Sequence, residues 1–214
     1  EELIKREYEQ RKPEIKAELE EFRRRGLESS DEELFVELCH CICASQTNFD
    51  DVKNAITELR QRDLLFSGDT KPIAEYLKRH KIRFHNRKAR FIVECRSKFF
   101  GEDAAISLND FIKILRGIDS RERREWARMA LWGCGLGWKE ISEFLRNLGL
   151  GSDYTILDSW ILGWLHRCGK IEEIPKDLSK SKYLEIEEKM RKWAQEMEIP
   201  LDELDLLLWR LGKP

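Results

Sequence analysis

The chain has 214 residues and 37% of them are charged, 39 Lys plus Arg against 41 Asp plus Glu, for a formal charge of −2. That length suits one large domain or two small helical lobes, and only 12 Gly and 5 Pro favour a helical, highly charged soluble protein. The near-neutral total excludes a simple basic coat for nucleic acid; no apolar run reaches membrane-spanning length and no signal peptide is visible, so a cytoplasmic chain with no membrane partner is expected.

In chain order, residues 1–25 read as a charge-rich helix with sparse apolar positions at Leu3, Ile4, Tyr8, Ile15, Leu19 and Phe22. Pro13 is expected to bend or break it and Gly26 to end it. A second helix starts at a cap, Ser30 or Asp31, with Glu33 completing a capping box. Leu34, Phe35, Leu38, Ile42 and Cys43 leave its end apolar almost all round, which makes it central. It runs into the polar loop Ser45-Gln46-Thr47-Asn48, which also reads as a C-cap followed by an N-cap. Helices are then expected at about 50–64, 70–79, 84–100, 108–117 and 119–132. Residues 78–98 hold nine Lys or Arg against one acid, Glu94, a surplus of eight that leaves ten net negative charges on the rest. So asymmetric a chain is able to hold an anionic polymer on one face; a solvated helix face is the plainer alternative.

The stretch from Leu131 to Leu162 organises the chain. Gly133, Gly135 and Gly137 alternate through a loop whose backbone is free to turn at positive φ and approach a partner closely. Trp138 opens an amphipathic helix with Ile141, Phe144, Leu145 and Leu148 on one face, and Gly149 and Gly151 stop it. A glycine turn feeding a helix N-terminus offers N–H groups and a positive dipole end to a phosphate. Lys139, in the first turn of that helix, is expected to lose its proton more readily than an ordinary lysine, because the dipole and burial both disfavour its charge. A neutral lysine is a nucleophile that forms Schiff bases. Nineteen positions on, Asp158 reads as the N-cap of a helix continued by Ile161, Leu162 and Leu165. Trp126, Trp132, Trp138, Trp160 and Trp164 gather around this stretch. Their helical spacing assigns them to the core, with stacking on an extruded base as the alternative. Two further helices, 179–195 and 201–211, join at Pro200, and no strand pattern longer than a few residues appears. The fold class is all-α. The six cysteines form no CxxC pair, and Cys39, Cys41 and Cys43 at i, i+2, i+4 cannot all face one metal. Buried thiols in a reducing compartment are expected.

At these residues the chain resembles the helix-hairpin-helix DNA glycosylases, closest to the archaeal-type 8-oxoguanine DNA glycosylase/AP lyases. The resemblance is carried by Lys139 within GWKEISEFLRNLG and Asp158 within TILDSWIL. ELCHCICASQTN at 37–48, RFHNRKARFIVECR at 83–96 and IPLDELDLLLW at 199–209 support it, so that it covers most of the chain from about Leu34. It implies one glycosylase unit over 1–214, built as two helical lobes with the active site in the cleft between them. The hairpin and the catalytic helix starts fall at about 119–165. The implied partner is damaged double-stranded DNA, bound by a monomer in a prokaryotic cytoplasm at the nucleoid. The implied chemistry excises 8-oxoguanine through a Lys139 Schiff base aided by Asp158, then cleaves the strand by β-elimination, with no cofactor and no metal. Some glycosylases of this fold carry a four-cysteine iron–sulfur cluster after the catalytic aspartate; only Cys168 lies there, so no cluster is expected. Gly133, Gly135, Gly137, His85, Asn86, Arg87 and Lys88 are the expected DNA contacts. Ser45, through its carbonyl, and Gln46, Phe84 and Trp209 are the expected base pocket. Two departures from the family pattern bear on base specificity. Asp158-Ser159-Trp160 stands where relatives have Asp-Arg-His, and the chain stops at Gly212-Lys213-Pro214 where relatives carry a longer tail. The same fold acting on another lesion or mainly as an AP lyase, a non-enzymatic hairpin DNA-binding module, and a structural all-α protein are the alternatives. The second needs neither Lys139 nor Asp158, and the third needs no basic segment either.

Overall fold

The computed structural model describes residues 1–100, 104–212 and 214, and among them there are twelve α-helices and no strand. The chain divides into two compact units: Glu28–Phe144, and a discontinuous one made of Glu1–Leu27 with Leu145–Pro214.

The continuous unit begins with α2 (Asp31–Ala44). Its N-cap is Ser30, whose hydroxyl accepts the Glu33 amide while the Glu33 carboxylate accepts the Ser30 amide, the reciprocal capping box that the sequence spells out. Leu34, Phe35, Leu38, Cys39, Ile42 and Cys43 are all buried, so α2 is the core helix of this unit. Burial of each large side chain stabilises by roughly 1.5–3 kcal/mol. Around it lie α3 (Phe49–Gln61), α4 (Leu64–Ser67), α5 (Thr70–Arg79), α6 (His85–Phe99), α7 (Leu108–Gly117) and α8 (Ser120–Ala130). The helix expected over 50–64 ends at Gln61, and the one-turn α4 follows it. Asp63 adopts φ 59° between them, a left-handed conformation that Asp tolerates better than most residues.

The discontinuous unit joins α1 (Glu2–Glu28) to α10 (Ser159–Arg167), α11 (Lys180–Met197) and α12 (Leu201–Leu211). Helix α1 corrects two expectations. It runs through Pro13 without interruption and passes Gly26 to reach Glu28. One lost hydrogen bond is carried by a 27-residue helix that buries Ile4, Tyr8, Ile15, Leu19 and Phe22 and ties Arg11 to Glu7 at 3.1 Å and Arg23 to Glu20 at 3.0 Å. Helix α9 (Trp138–Asn147) spans the sequence boundary between the units. It stops where Gly149 takes φ +66°, and a Cβ there would lie 2.5 Å from the Arg23 backbone. Lys213 lies outside the described residues.

Candidate active site

Helix α9 places Lys139 in its first turn. Gly137 sits at the cap, and its amide donates to the Glu140 carboxylate at 3.1 Å. One of the amides expected to meet a phosphate is therefore already occupied from within the helix. Lys139 Nζ donates to Glu143 at 2.9 Å and lies 4.0 Å from Glu140, with a quarter of its side chain exposed. Burial pulls its pKa down, but Glu143 and Glu140 outweigh burial, and the net shift is upward. The dipole and burial alone favour a readily neutral amine; the two carboxylates reverse that, and the expectation is corrected.

The hairpin before α9 turns at Gly133 (φ 89°) and Gly135 (φ 72°), while Gly137 needs no positive φ. Gly135 is pressed onto the Phe91 ring of α6, where a Cβ would come within 2.0 Å of it. Arg87 and Arg90 stand over the same ring, at 5.3 and 5.8 Å from its centroid. The hairpin and the basic helix thus share one surface. Of the nine cations in 78–98, Lys78, Arg79, Lys81, Arg83, Arg87 and Arg90 are exposed. Asn86 is exposed beside them and His85 is half-buried.

Lys88 corrects another expectation. It is 4% exposed, and its Nζ donates to the carbonyls of Cys43 (2.8 Å) and Ser45 (2.7 Å) and to Thr47 Oγ1 (3.1 Å). Burial lowers its pKa. Its charge meets the negative end of α2 and leaves nothing for a phosphate. The Ser45 carbonyl therefore already accepts two hydrogen bonds, from Lys88 Nζ and, at 3.2 Å, from Thr47 Oγ1, so both its lone pairs are in use. Gln46 follows at φ 54°, and Phe84, the residue before α6, sits at φ 56° with its ring exposed under Arg83. Two non-glycine residues held left-handed, one of them aromatic, are the kind of strain that gathers at binding sites.

In the discontinuous unit Asp158 is the N-cap of α10, as expected. Its Oδ1 accepts the amides of Trp160 and Ile161, both at 2.9 Å. The extended segment leading to it is fixed by buried polar groups. Asp205 accepts from Thr155 Oγ1 and, at 2.8 Å, from the Ile156 amide, and Glu187 accepts the Thr155 amide at 3.1 Å. Tyr183 donates to the Thr155 carbonyl at 2.6 Å, and Arg146 pairs with Asp205 at 3.3 Å. Trp209 is half-buried, with its ring 6.2 Å from that of Trp160. Trp160 is thus a neighbour of the expected pocket residue, and its helical spacing alone does not disclose it.

The tryptophans split. Trp164 is buried and donates to the Gly212 carbonyl at 2.9 Å. Trp138 lies beneath Arg124 and Arg128. Trp126 and Trp132 are 53% and 72% exposed, and Trp160 is exposed too, so the core assignment fails for three of the five. Five cysteines are buried and Cys168 is half-buried, all six as thiols. Lys139, Lys88, Ser45, Gln46, Phe84 and the hairpin share one unit; Asp158 and Trp209 share the other.

The family model described as 8-oxoguanine DNA glycosylase matches residues 15–199. The 8-oxoguanine DNA glycosylase/AP lyase of Fusobacterium nucleatum is 37% identical over 206 residues, 96% of this chain and 92% of the relative. The solved 8-oxoguanine DNA glycosylase of Thermotoga maritima superposes with a TM-score of 0.82 at 34% identity, covering 99% of this chain and 95% of that one. The Methanocaldococcus jannaschii 8-oxoguanine glycosylase/lyase, solved in complex with a 15mer DNA containing 8-oxoguanine, gives 0.81 at 31% identity over 99% and 97%.

Proposed function

We infer the reaction from a plain premise: the chain belongs to the 8-oxoguanine DNA glycosylase family. It is an 8-oxoguanine DNA glycosylase/AP lyase, acting on DNA that carries the oxidised base. The base is out of reach inside the stack, so the nucleotide must be extruded at a cost of a few kcal/mol. In the route we propose, the Lys139 amine, once deprotonated, attacks C1′ and the N-glycosidic bond breaks, its electron pair leaving with the base. The sugar ring opens, and the lysine nitrogen becomes an iminium at C1′. That electron sink allows loss of a proton from C2′ and departure of the 3′ phosphate, which cleaves the strand. Asp158 assists loss of the Lys139 proton and offsets positive charge developing at C1′. Phe84 and Trp209 stack on the extruded purine, and the Ser45 carbonyl, once the Thr47 hydroxyl turns away from it, accepts the N7–H that distinguishes 8-oxoguanine from guanine. The exposed cations of α6 and the Gly133–Gly135 turn hold the phosphate backbone.

The observation that carries this reading is the placement of Lys139. It is a mostly buried amine in the first turn of the helix that the glycine hairpin feeds, in the same unit as the basic face of α6. Borohydride reduction on a duplex with one 8-oxoguanine tests it, since reduction of the iminium leaves a permanent protein–DNA adduct. Wild type gives the adduct. Lys139→Gln binds the same duplex and gives none; an adduct of wild-type yield from this variant refutes the lysine assignment.

A further inference from the structure

Lys139 does not stand alone on its helix. One turn further along α9, Glu143 accepts its Nζ at 2.9 Å, and both side chains are largely withdrawn from solvent, at 24% and 21% exposure. The spacing is i, i+4, which brings the two groups together on one helix face without any tertiary requirement. The titratable groups that face the amine are Glu143 and Glu140 from α9, Cys41 from α2 and Lys88 from α6. Glu140 is the weaker partner. It lies 4.0 Å away, and its carboxylate is engaged by the Gly137 amide. Lys88 is turned toward the Cys43 and Ser45 carbonyls. Glu143 is therefore the carboxylate hydrogen-bonded to the amine whose neutral form does the chemistry.

We propose that Glu143 is a positioning residue that restrains the nucleophile: it holds Lys139 Nζ along α9 as an ion pair, and the amine is released to attack C1′ only when that pair opens. The inference rests on Lys139 being the Schiff-base lysine. An ammonium has no lone pair, so the resting pair cannot react with a sugar carbon. Opening it leaves a group that a base must still deprotonate, and the proton then passes from Nζ to a carboxylate oxygen. The restraint costs rate and gains selectivity, because an amine kept charged at rest does not react at every transiently exposed aldehyde of DNA.

The test uses the full chain and a duplex with one preformed abasic site, with single-turnover adduct formation under borohydride followed across pH. This substrate needs no base recognition. Lys139→Gln must give no adduct; if it does, the lysine reading itself fails and says nothing of Glu143. With that control in hand, Glu143→Gln removes the charge and keeps the shape. The pH midpoint of adduct formation moves to lower pH. On the acid limb the rate rises several-fold, by tenfold for each unit of displacement. Glu143→Asp, which keeps the charge with a shorter reach, gives an intermediate midpoint, and Glu140→Gln a smaller displacement than Glu143→Gln. A purely structural ion pair would alter the melting temperature and leave the midpoint in place. A Glu143→Gln profile superimposable on wild type overturns the proposal, and so does loss of adduct at every pH from a variant that melts normally.

Discussion

Asp158 is a cap in the structure and a catalytic group in the proposed route, and the two roles separate by atom and charge. Its Oδ1 caps α10 by accepting two amides, and Asn caps about as well as Asp. Asp158→Asn is therefore expected to keep its melting temperature and to lose roughly 10²-fold or more in excision rate, the scale of one general acid–base contribution. A collapsed melting temperature with normal turnover per folded molecule makes the aspartate structural only. Phe84 is tested the other way. Its ring is exposed and its backbone is left-handed, so Phe84→Ala removes a stacking surface worth about 1–3 kcal/mol and leaves the core untouched. Excision of 8-oxoguanine slows by roughly one to two orders of magnitude, while cleavage at a preformed abasic site is nearly unchanged; equal losses on both substrates assign the ring to the fold. At this scale the place of Lys139 in the first turn of α9 was legible, because the glycine run and the apolar spacing fix where that helix starts. The Asp158 cap was legible because capping is local. Lys88 was not: in a run of cations each side chain looks solvated, and only the tertiary approach of α6 to the end of α2 tells that this one points inward.

Among the elements, α5, α7 and α12 occupy the spans that the apolar spacing predicts. The misses lie where one residue's backbone overrides the pattern or, as in α1, fails to. Asp63, left-handed, separates α3 from α4, Glu198 ends α11 two residues late in the same conformation, and Pro13 fails to end α1. The carboxylate of Asp205 could not be read from the sequence either, since an Asp on α12 facing the core contradicts the binary pattern. The structure supplies the reason. Asp205 holds Thr155 and Ile156, just ahead of Asp158, and pairs with Arg146. Burial raises its pKa, with Arg146 and the Thr155 and Ile156 hydrogen bonds opposing. Asp205→Ala leaves a guanidinium and two donors without their acceptor, and breaking such a buried pair from one side costs about 3–5 kcal/mol. Denaturant midpoints measure this; a change under 1 kcal/mol would mean that the segment before Asp158 is held by Tyr183 and Glu187 alone.

Over the whole molecule, sequence distance and spatial distance part company. Tyr8 donates to Glu203 at 2.7 Å, Arg210 pairs with Glu14 and Glu18, and Trp193 donates to Glu1, joining the two ends of the chain in one unit. Nothing in composition announces that closure, because each partner alone is an ordinary charged or aromatic helix residue. The charge asymmetry, by contrast, was legible and survives folding: six of the cations in 78–98 are exposed. The surface that meets DNA is then defined by which cations remain available, and the salt dependence of binding counts them. Affinity for undamaged duplex falls with salt at a log–log slope of about −0.9 for each phosphate neutralised. Replacing Arg87 and Arg90 together by Gln is expected to flatten that slope by roughly 1.8, two phosphate contacts' worth, with little change in melting temperature, since both guanidiniums are exposed. Lys88→Met removes one formal charge from the same helix. It is expected to leave the slope unchanged and to lower stability, by the roughly 1–3 kcal/mol of a buried acceptor left without its donor. Salt titrations of the two variants side by side decide the matter. A flattened slope for Lys88→Met would mean that its charge reaches the DNA, and an unchanged slope for the Arg pair would place the phosphate track off the face that Phe91 and Gly135 share.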